Sequence, residues 1–340
     1  MFQYSAYSRK KLLLIILGLI LCTASFLLDI MTGSSGLTLS QVLSAIFTPQ
    51  KVDEMHTLIV WVFRMPVAVM GLLVGAALGL SGAVMQTILN NPLASPYTLG
   101  LSAGAGFGAS VALVTGLASS IAVFEEFLVA GWAFLFALLA CFGIYFISKI
   151  KRFTSDVMVL TGIGMVFFFQ AGQSFLQYIA SEEALSGIVF WTFGSLTKAS
   201  ASKCIIVAVV LIISFIVIYF NAWKLTAMNM GDERARSLGI DVGRLRKLMF
   251  VTISFLTATA VAFVGSIGFV GIVGPHFARI MLGEDQRYYL PMSAICGALI
   301  LSMASVASKM IIPGAIFPVG ILTSLIGVPV FFVLIIKKKG

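Results

Sequence analysis

Apolar residues run through this chain in long blocks, and polar residues fall between them in short clusters. A helix needs about 20 apolar residues to cross the hydrocarbon of a bilayer. Such blocks predict ten spans, at approximately 12–31, 65–87, 98–118, 127–149, 157–179, 203–222, 248–266, 271–283, 288–309 and 316–336. The eighth, Gly271 to Gly283, is too short to cross fully and predicts a partial helix entering the membrane. The pattern therefore predicts an all-α membrane protein, a polytopic bundle of about ten transmembrane helices forming a single domain over residues 1–340. Composition points the same way, because a mean hydropathy of +1.08 with 10% charged residues does not fit a soluble domain. The start does not read as a cleaved leader: Arg9-Lys10-Lys11 opens an apolar run too long for a signal peptide.

One polar island breaks the pattern, Trp223 to Lys247, and it holds six of the 22 Lys and Arg residues. Cationic residues gather on the cytoplasmic side of membrane proteins. With both termini placed in the cytoplasm, 17 of the 22 fall inside, the island included. Outside remain Lys51, Arg64, Lys198, Lys203 and Lys309, interspersed with acidic residues such as Glu126 and Glu182. The net charge of +9 is thus spread over span ends and predicts membrane topology, with no nucleic acid partner.

Glycine is spaced as well as abundant. Gly71, Gly75 and Gly79 recur every fourth residue, as do Gly100, Gly104 and Gly108, which puts each set on one helix face for close helix approach. Gly265, Gly268, Gly271 and Gly274, followed by Pro275, predict broken helix between the seventh and eighth spans. Irregular backbone at that depth must be buried in protein or line a watery cavity.

Candidate chemistry is sparse, and no catalytic residue is expected. No phosphate-loop motif is present, and Gly104-Ala-Gly-Phe-Gly108 lies in an apolar helix with no strand before it. His56 and His276 have no Cys, Asp or Glu at ligand spacing, and both read as structural. Cys22, Cys141, Cys204 and Cys296 each sit inside an apolar run and read as packing residues. Asp29, Arg64, Asp156, Arg279 and Lys309 all lie at predicted span ends. Carriers driven by protons or sodium use ionisable groups within the membrane; none is evident mid-span, so the driving force is expected to enter from outside the chain.

From Leu58 to Lys337 the chain resembles the FecCD-like permeases, the membrane subunits of ATP-binding-cassette importers for ferric siderophores, haem and cobalamin. Six stretches in order carry the resemblance: Arg64-Met-Pro66, Gly75 to Gly108, Phe190 to Leu196, Met230 to Gly239, Gly265 to Arg279, and Pro318 to Pro329. The resemblance implies a dimeric permease, homodimeric or paired with a sister chain, two cytoplasmic ATPase subunits and a periplasmic or lipid-anchored substrate-binding protein.

It also implies roles for residues. The island is similar to the coupling loop, two short helices that dock into the ATPase, with Gly231, Asp232, Glu233, Ala235, Arg236, Leu238 and Gly239 at its centre. Glycines at 231 and 239 suit a sharp start and stop, acids at 232 and 233 suit a first turn, and Leu238 suits an apolar pocket. Asn91 and Leu93, with Thr154 and Ser155, match the cytoplasmic gate. Arg64 and Lys309 match positions that dock the binding protein. Departures occur there: Val67 replaces a second arginine, Lys309 an arginine, Ser305 an aspartate, Ile316 an acid and Gly274 a valine. A sister permease supplying the missing arginines is one explanation.

Within the fifth span, Gln170, Gln173 and Gln177 share a helix face beside Phe169 and predict an uncharged pathway wall. Amides holding helices together would produce the same pattern. The function expected is import of an iron chelate, a ferric siderophore first, across the bacterial cytoplasmic membrane, with ATP hydrolysed on a partner chain. Iron crosses inside its chelator, so neither a metal site nor a cofactor is expected. Cobalamin or haem import by the same mechanism, and an ATPase-independent secondary carrier, are the alternatives.

Overall fold

A backbone amide in hydrocarbon has no water to bond, so each apolar run must satisfy its own N–H and C=O groups as a helix. The computed structural model describes residues 2–33, 35–116, 125–150, 154–312 and 315–337, and among these there is no strand. In chain order the helices are α1 (Phe2–Met31), α2 (Leu39–Phe47), α3 (Glu54–Leu58) and, after a π-helical turn at Ile59–Arg64, α4 (Met65–Leu89). Then come α5 (Leu101–Val114), α6 (Glu125–Ile150), α7 (Ser155–Ile179), α8 (Glu182–Phe193) and α9 (Ala201–Phe220). The remainder are α10 (Ala222–Met228), α11 (Asp232–Ser237), α12 (Val242–Val264), α13 (Val270–Leu282), α14 (Gln286–Met310) and α15 (Val319–Lys337).

Among the described residues, seven helical stretches are long and apolar enough to cross a membrane: α1, the continuous α3–α4 unit, α6, α7, α9, α12 and α14. Three shorter apolar helices, in α5, α13 and α15, bring the number to the ten expected. α5 differs at its start, because Gly100 at φ 89° opens it after a turn in which Gly100 N–H donates to Tyr97 O. α8 is an addition to the expected spans. Ser181 caps it by accepting from Ala184 N–H, Glu182 and Glu183 occupy its first turn, and Gly194 at φ 69° ends it. At 12 residues it is too short to cross.

The spine of the bundle is the crossing of α4 and α14. A Cβ on Gly75 would lie 2.7 Å from Ala298 Cα, and one on Gly297 would lie 2.9 Å from Gly79 Cα. Backbone therefore meets backbone here with no side chain between, as the four-residue spacing predicts. Gly104 and Gly108 of the second set do the same for α5 on α6, where a Cβ on Gly104 would lie 2.7 Å from Phe136 O; Gly100 precedes the helix and faces Gly162 and Val166 of α7 instead.

The buried contacts define two ends. At one, Arg246 of α12 meets the end of α4, Lys11 of α1 lies 5.0 Å over the Tyr288 ring of α14, and α10 meets the start of α14. This is the island end. At the far end, Asp29 of α1 meets Lys309 of α14, and Arg64 meets the last carbonyls of α1.

Candidate coupling segment, gate and pathway

The polar island folds into two short helices packed across the island end. Thr226 of α10 accepts from Gln286 N–H at 3.2 Å, supplying an acceptor to the exposed start of α14. Gly231, at φ 100°, precedes α11. The far side of α11 closes with Gly239 at φ 80°: Ile240 N–H donates to Ala235 O at 3.1 Å and Gly239 N–H to Arg236 O at 2.9 Å. This pair of bonds is a Schellman close, which a residue with a Cβ resists at the left-handed position. Asp232 opens α11 and pairs with Arg246 Nη2 at 2.8 Å. Ala235 is fully buried, whereas Glu233, Arg236 and Leu238 are exposed.

Beneath this pair lies a buried polar cluster that the sequence alone did not reveal. The last turn of α4 receives side chains from three other helices. Arg246 of α12 donates through Nε to Ile88 O at 2.7 Å. Arg279 of α13 donates to Gln86 Oε1 at 3.1 Å, and Tyr289 of α14 donates to the same oxygen at 3.2 Å. Gln286 of α14 donates to Thr87 Oγ1 at 3.1 Å. Gln86, Arg246, Gln286 and Tyr289 are all under 5% exposed, and groups buried so deeply lose stability unless bonded.

The gate candidates begin directly after that turn. Asn90 takes a left-handed conformation, with Asn91 N–H donating to Gln86 O at 3.0 Å. Asn91 then accepts Leu93 N–H on its side chain at 3.0 Å, and Ser95 and Thr98 bond each other locally. Thr154 is the exposed N-cap residue of α7 and Ser155 its first residue. Among the described residues no hydrogen bond joins Asn91 or Leu93 to Thr154 or Ser155. Each candidate gate segment is held by local bonds of its own.

In α7, Gln173 Nε2 donates to Thr192 Oγ1 of α8 at 3.3 Å, while Gln170 is exposed and Gln177 half-buried. Phe169, expected beside the amides on the pathway wall, packs within the chain. It is 6% exposed, and its ring sits 5.7 Å from Phe107 and 6.4 Å from Phe136. Helical geometry places 169 beside 173 but turns it toward α5 and α6.

The broken segments meet at one junction. Ser195 N–H donates to Val264 O at 2.7 Å, and a Cβ on Gly320 would lie 2.6 Å from Ser266 O. Ser102 and Ser266 share a hydrogen bond of 2.8 Å. A cavity of about 530 Å³ opens on this junction, lined by Tyr97, Thr192, Ser266, Ser324, Leu325 and Val328. Its polar lining carries no charge, and Tyr97, Thr192, Ser266 and Ser324 are pathway candidates beyond those the amide pattern marked. The glycine–proline run marked the break; only the fold brings the serines to it.

The sequence profile of the FecCD transport family matches residues 20–337. The chain belongs to the FecCD transport family. Relatives agree over nearly full length. An assigned ABC transporter permease of Methanocaldococcus jannaschii is 38% identical over 341 residues, covering 98% of this chain and 97% of that protein. A Helicobacter pylori permease named for an iron chelatin transport system is 34% identical over 284 residues, covering 84% of each. A solved transporter assigned to the metal-chelate ABC type, in an inward-facing conformation, superposes with a TM-score of 0.84 at 28% identity, covering 95% of this chain and 99% of that one. This FecCD chain is thus a multi-span permease of the ABC-importer type, embedded in a membrane.

Two expected docking residues of this FecCD chain sit differently. Docking a carboxylate on another protein needs an exposed cation. Arg64 is 8% exposed and donates to Ile30 O at 2.7 Å, Met31 O at 3.0 Å and Ser35 Oγ at 2.6 Å. Those are the unsatisfied carbonyls at the end of α1. Lys309, its side chain 8% exposed, donates to Asp29 Oδ1 and Asp29 O, both at 2.8 Å. Asp29 is fully buried and also accepts from Ser305 at 2.9 Å. In the isolated chain both charges are thus satisfied internally, and neither is presented as an exposed cation. The carboxylate absent at position 305 stands on α1 instead.

Proposed function

We propose that this FecCD chain is the permease subunit through which a metal chelate, a ferric siderophore first, enters the cytoplasm, driven by ATP hydrolysed on partner subunits that engage the α10–α11 segment. The observation that carries this reading is the fold of the polar island. It is a short helix pair, closed after α11 by the Schellman bonds and tied to the bundle through Asp232–Arg246 and Gln286–Thr226, yet it leaves Leu238 53% exposed among charged side chains. An apolar side chain held out on a rigid polar segment suits insertion into a partner's pocket. In this reading the island end faces the cytoplasm, with both termini, and a second permease, identical or sister, completes the pathway. The segments at Asn91–Leu93 and Thr154–Ser155 form the gate, and a substrate-binding protein delivers cargo at the far end. Residues 1–340 act as one permease unit in the cytoplasmic membrane.

The uncharged lining of the junction cavity, together with Gln170, Gln173 and Gln177, supports a bulky polar cargo that must not be trapped. Named relatives include permeases for Fe(3+)-citrate in Bacillus subtilis, molybdate in Haemophilus influenzae and cobalamin in Halobacterium salinarum. Cobalamin is the second reading, since the Halobacterium salinarum permease named for it is 34% identical over 85% of this chain. Uptake of labelled ferric siderophores, haem, cobalamin and molybdate by a deletion strain tests this. Loss of ferric-siderophore uptake alone supports the first reading, and loss of cobalamin uptake alone replaces it with the second. For the coupling segment, Gly239→Val should abolish co-purification of the ATPase, because φ 80° excludes a β-branched side chain; full assembly of that variant would refute the role.

A further inference from the structure

We infer that Arg246 is the positioning residue that carries movement of the coupling segment to the gate segment, an inference that rests on the coupling reading above. The guanidinium is 4% exposed and forks between two chain segments. Through Nη2 it holds Asp232, the first residue of α11, at 2.8 Å. Through Nε it holds Ile88 O, in the last turn of α4, at 2.7 Å. Three residues beyond Ile88 stands Asn91, the start of the gate segment.

A buried guanidinium cannot release one of these partners without leaving a charge or a carbonyl unsatisfied. Displacement of α11 therefore pulls on the α4 terminus through a short, stiff link. Two features of the site give this link a direction. On the other side of α4, Gln86 and Thr87 are held by Arg279, Tyr289 and Gln286, all from helices that pack on α4 in the membrane. Those bonds anchor the turn to the bundle, whereas Arg246 attaches it to α11, where Glu233, Arg234, Arg236 and Ser237 all face outward. Asn90, in its left-handed conformation, then marks the pivot where helix gives way to gate loop. Lysine could not replace this residue, because an ammonium is a point charge without the planar fork.

The test uses the permease assembled with its ATPase, and it needs no cargo. All four native cysteines are buried, so Asn91→Cys gives a single accessible thiol for a water-soluble maleimide. The labelling rate of this reference is measured nucleotide-free and after trapping with ATP and vanadate. We expect it to change by about 5-fold or more. Adding Arg246→Met or Arg246→Lys should reduce that change to less than about 2-fold while the ATPase still co-purifies. A merely structural role would alter assembly and resting-state labelling instead. Should Arg246→Met fail to assemble, Asp232→Asn, which weakens the link but leaves Ile88 bonded, must still lower the nucleotide-dependent change. Unaltered nucleotide dependence in the Arg246 variants overturns the inference while leaving the coupling reading intact. Loss of resting-state order in every variant, or a reference that does not respond to nucleotide, overturns it too. An unaltered permease that retains no ATPase defeats the coupling reading itself.

Discussion

Removing the Lys309 ammonium should destabilise the far end of the bundle severely, and removing its partner as well should restore most of the loss. Asp29 has no exposed surface and is held by Lys309 at 2.8 Å and by Ser305 at 2.9 and 3.0 Å. Lys309→Met leaves that carboxylate with a single hydroxyl for company. Breaking a buried pair from one side costs about 3–5 kcal/mol, whereas replacing both partners with apolar or neutral groups of similar volume is close to neutral. Cys22 reports on this directly, because its thiol packs on α14 with Sγ 3.6 Å from Ile295 O. In a chain keeping only this cysteine, the labelling rate of a thiol dye in detergent follows the opening equilibrium. At tenfold per 1.4 kcal/mol, Lys309→Met should speed labelling by roughly two to three and a half powers of ten. The Asp29→Asn/Lys309→Met double variant should return to within about one power of ten of the parent. Equal rates for the single and double variants would refute the argument, because the buried unpaired charge would then carry no special cost.

Two further outcomes follow from the geometry. Gly79→Leu should prevent folding or insertion, since a Cβ there would already lie 3.1 Å from Gly297 Cα; a normal yield of monodisperse protein would contradict the backbone-to-backbone crossing. Asp285, which caps α14 and bonds Arg287, has its carboxyl held below the ordinary value of 3.8, chiefly by that arginine's hydrogen bond. A depressed carboxyl pKa stabilises the fold above the unfolded-state value and loses that contribution as pH falls through the folded-state one. Stability of the parent should therefore fall faster than that of Asp285→Asn below about pH 3.8, and parallel acid profiles would show the carboxylate to be idle.

Helix number and the glycine contacts were legible because each rests on local pattern. A run of apolar residues is a helix wherever it lands, and Gly75 and Gly79 share a face whatever packs on it. α8 does not stand out in the hydrophobic pattern because Glu182 and Glu183 head a stretch too short to cross, although Ser181 and Gly194 mark its two ends. The polar cluster was out of reach for a different reason. Gln86 and Tyr289 are 203 residues apart, Ile88 and Arg246 158, and Asp29 and Lys309 280. Each lies near a helix end, where a polar side chain is ordinarily solvated. Only the packing of α4 against α12 and α14, and of α1 against α14, turns those ends toward one another. The same blindness explains Arg64 and Lys309, whose place in a motif says nothing about whether they point in or out.

The crossing at Gly75, Gly79 and Gly297 has a mechanical consequence. Packed helices slide past each other by letting side chains jump between grooves. At these three glycines there are none to jump, and a slip by one residue would drive carbonyl oxygens into Cα atoms. The pair α4–α14 is therefore a rod, stiff along its length and indifferent to rotamer. A shift at its island end, where Ile88 and Gln286 lie, is expected to be carried along the pair toward Arg64 and Lys309. The two ends of the membrane are joined by the residues with the least to say chemically.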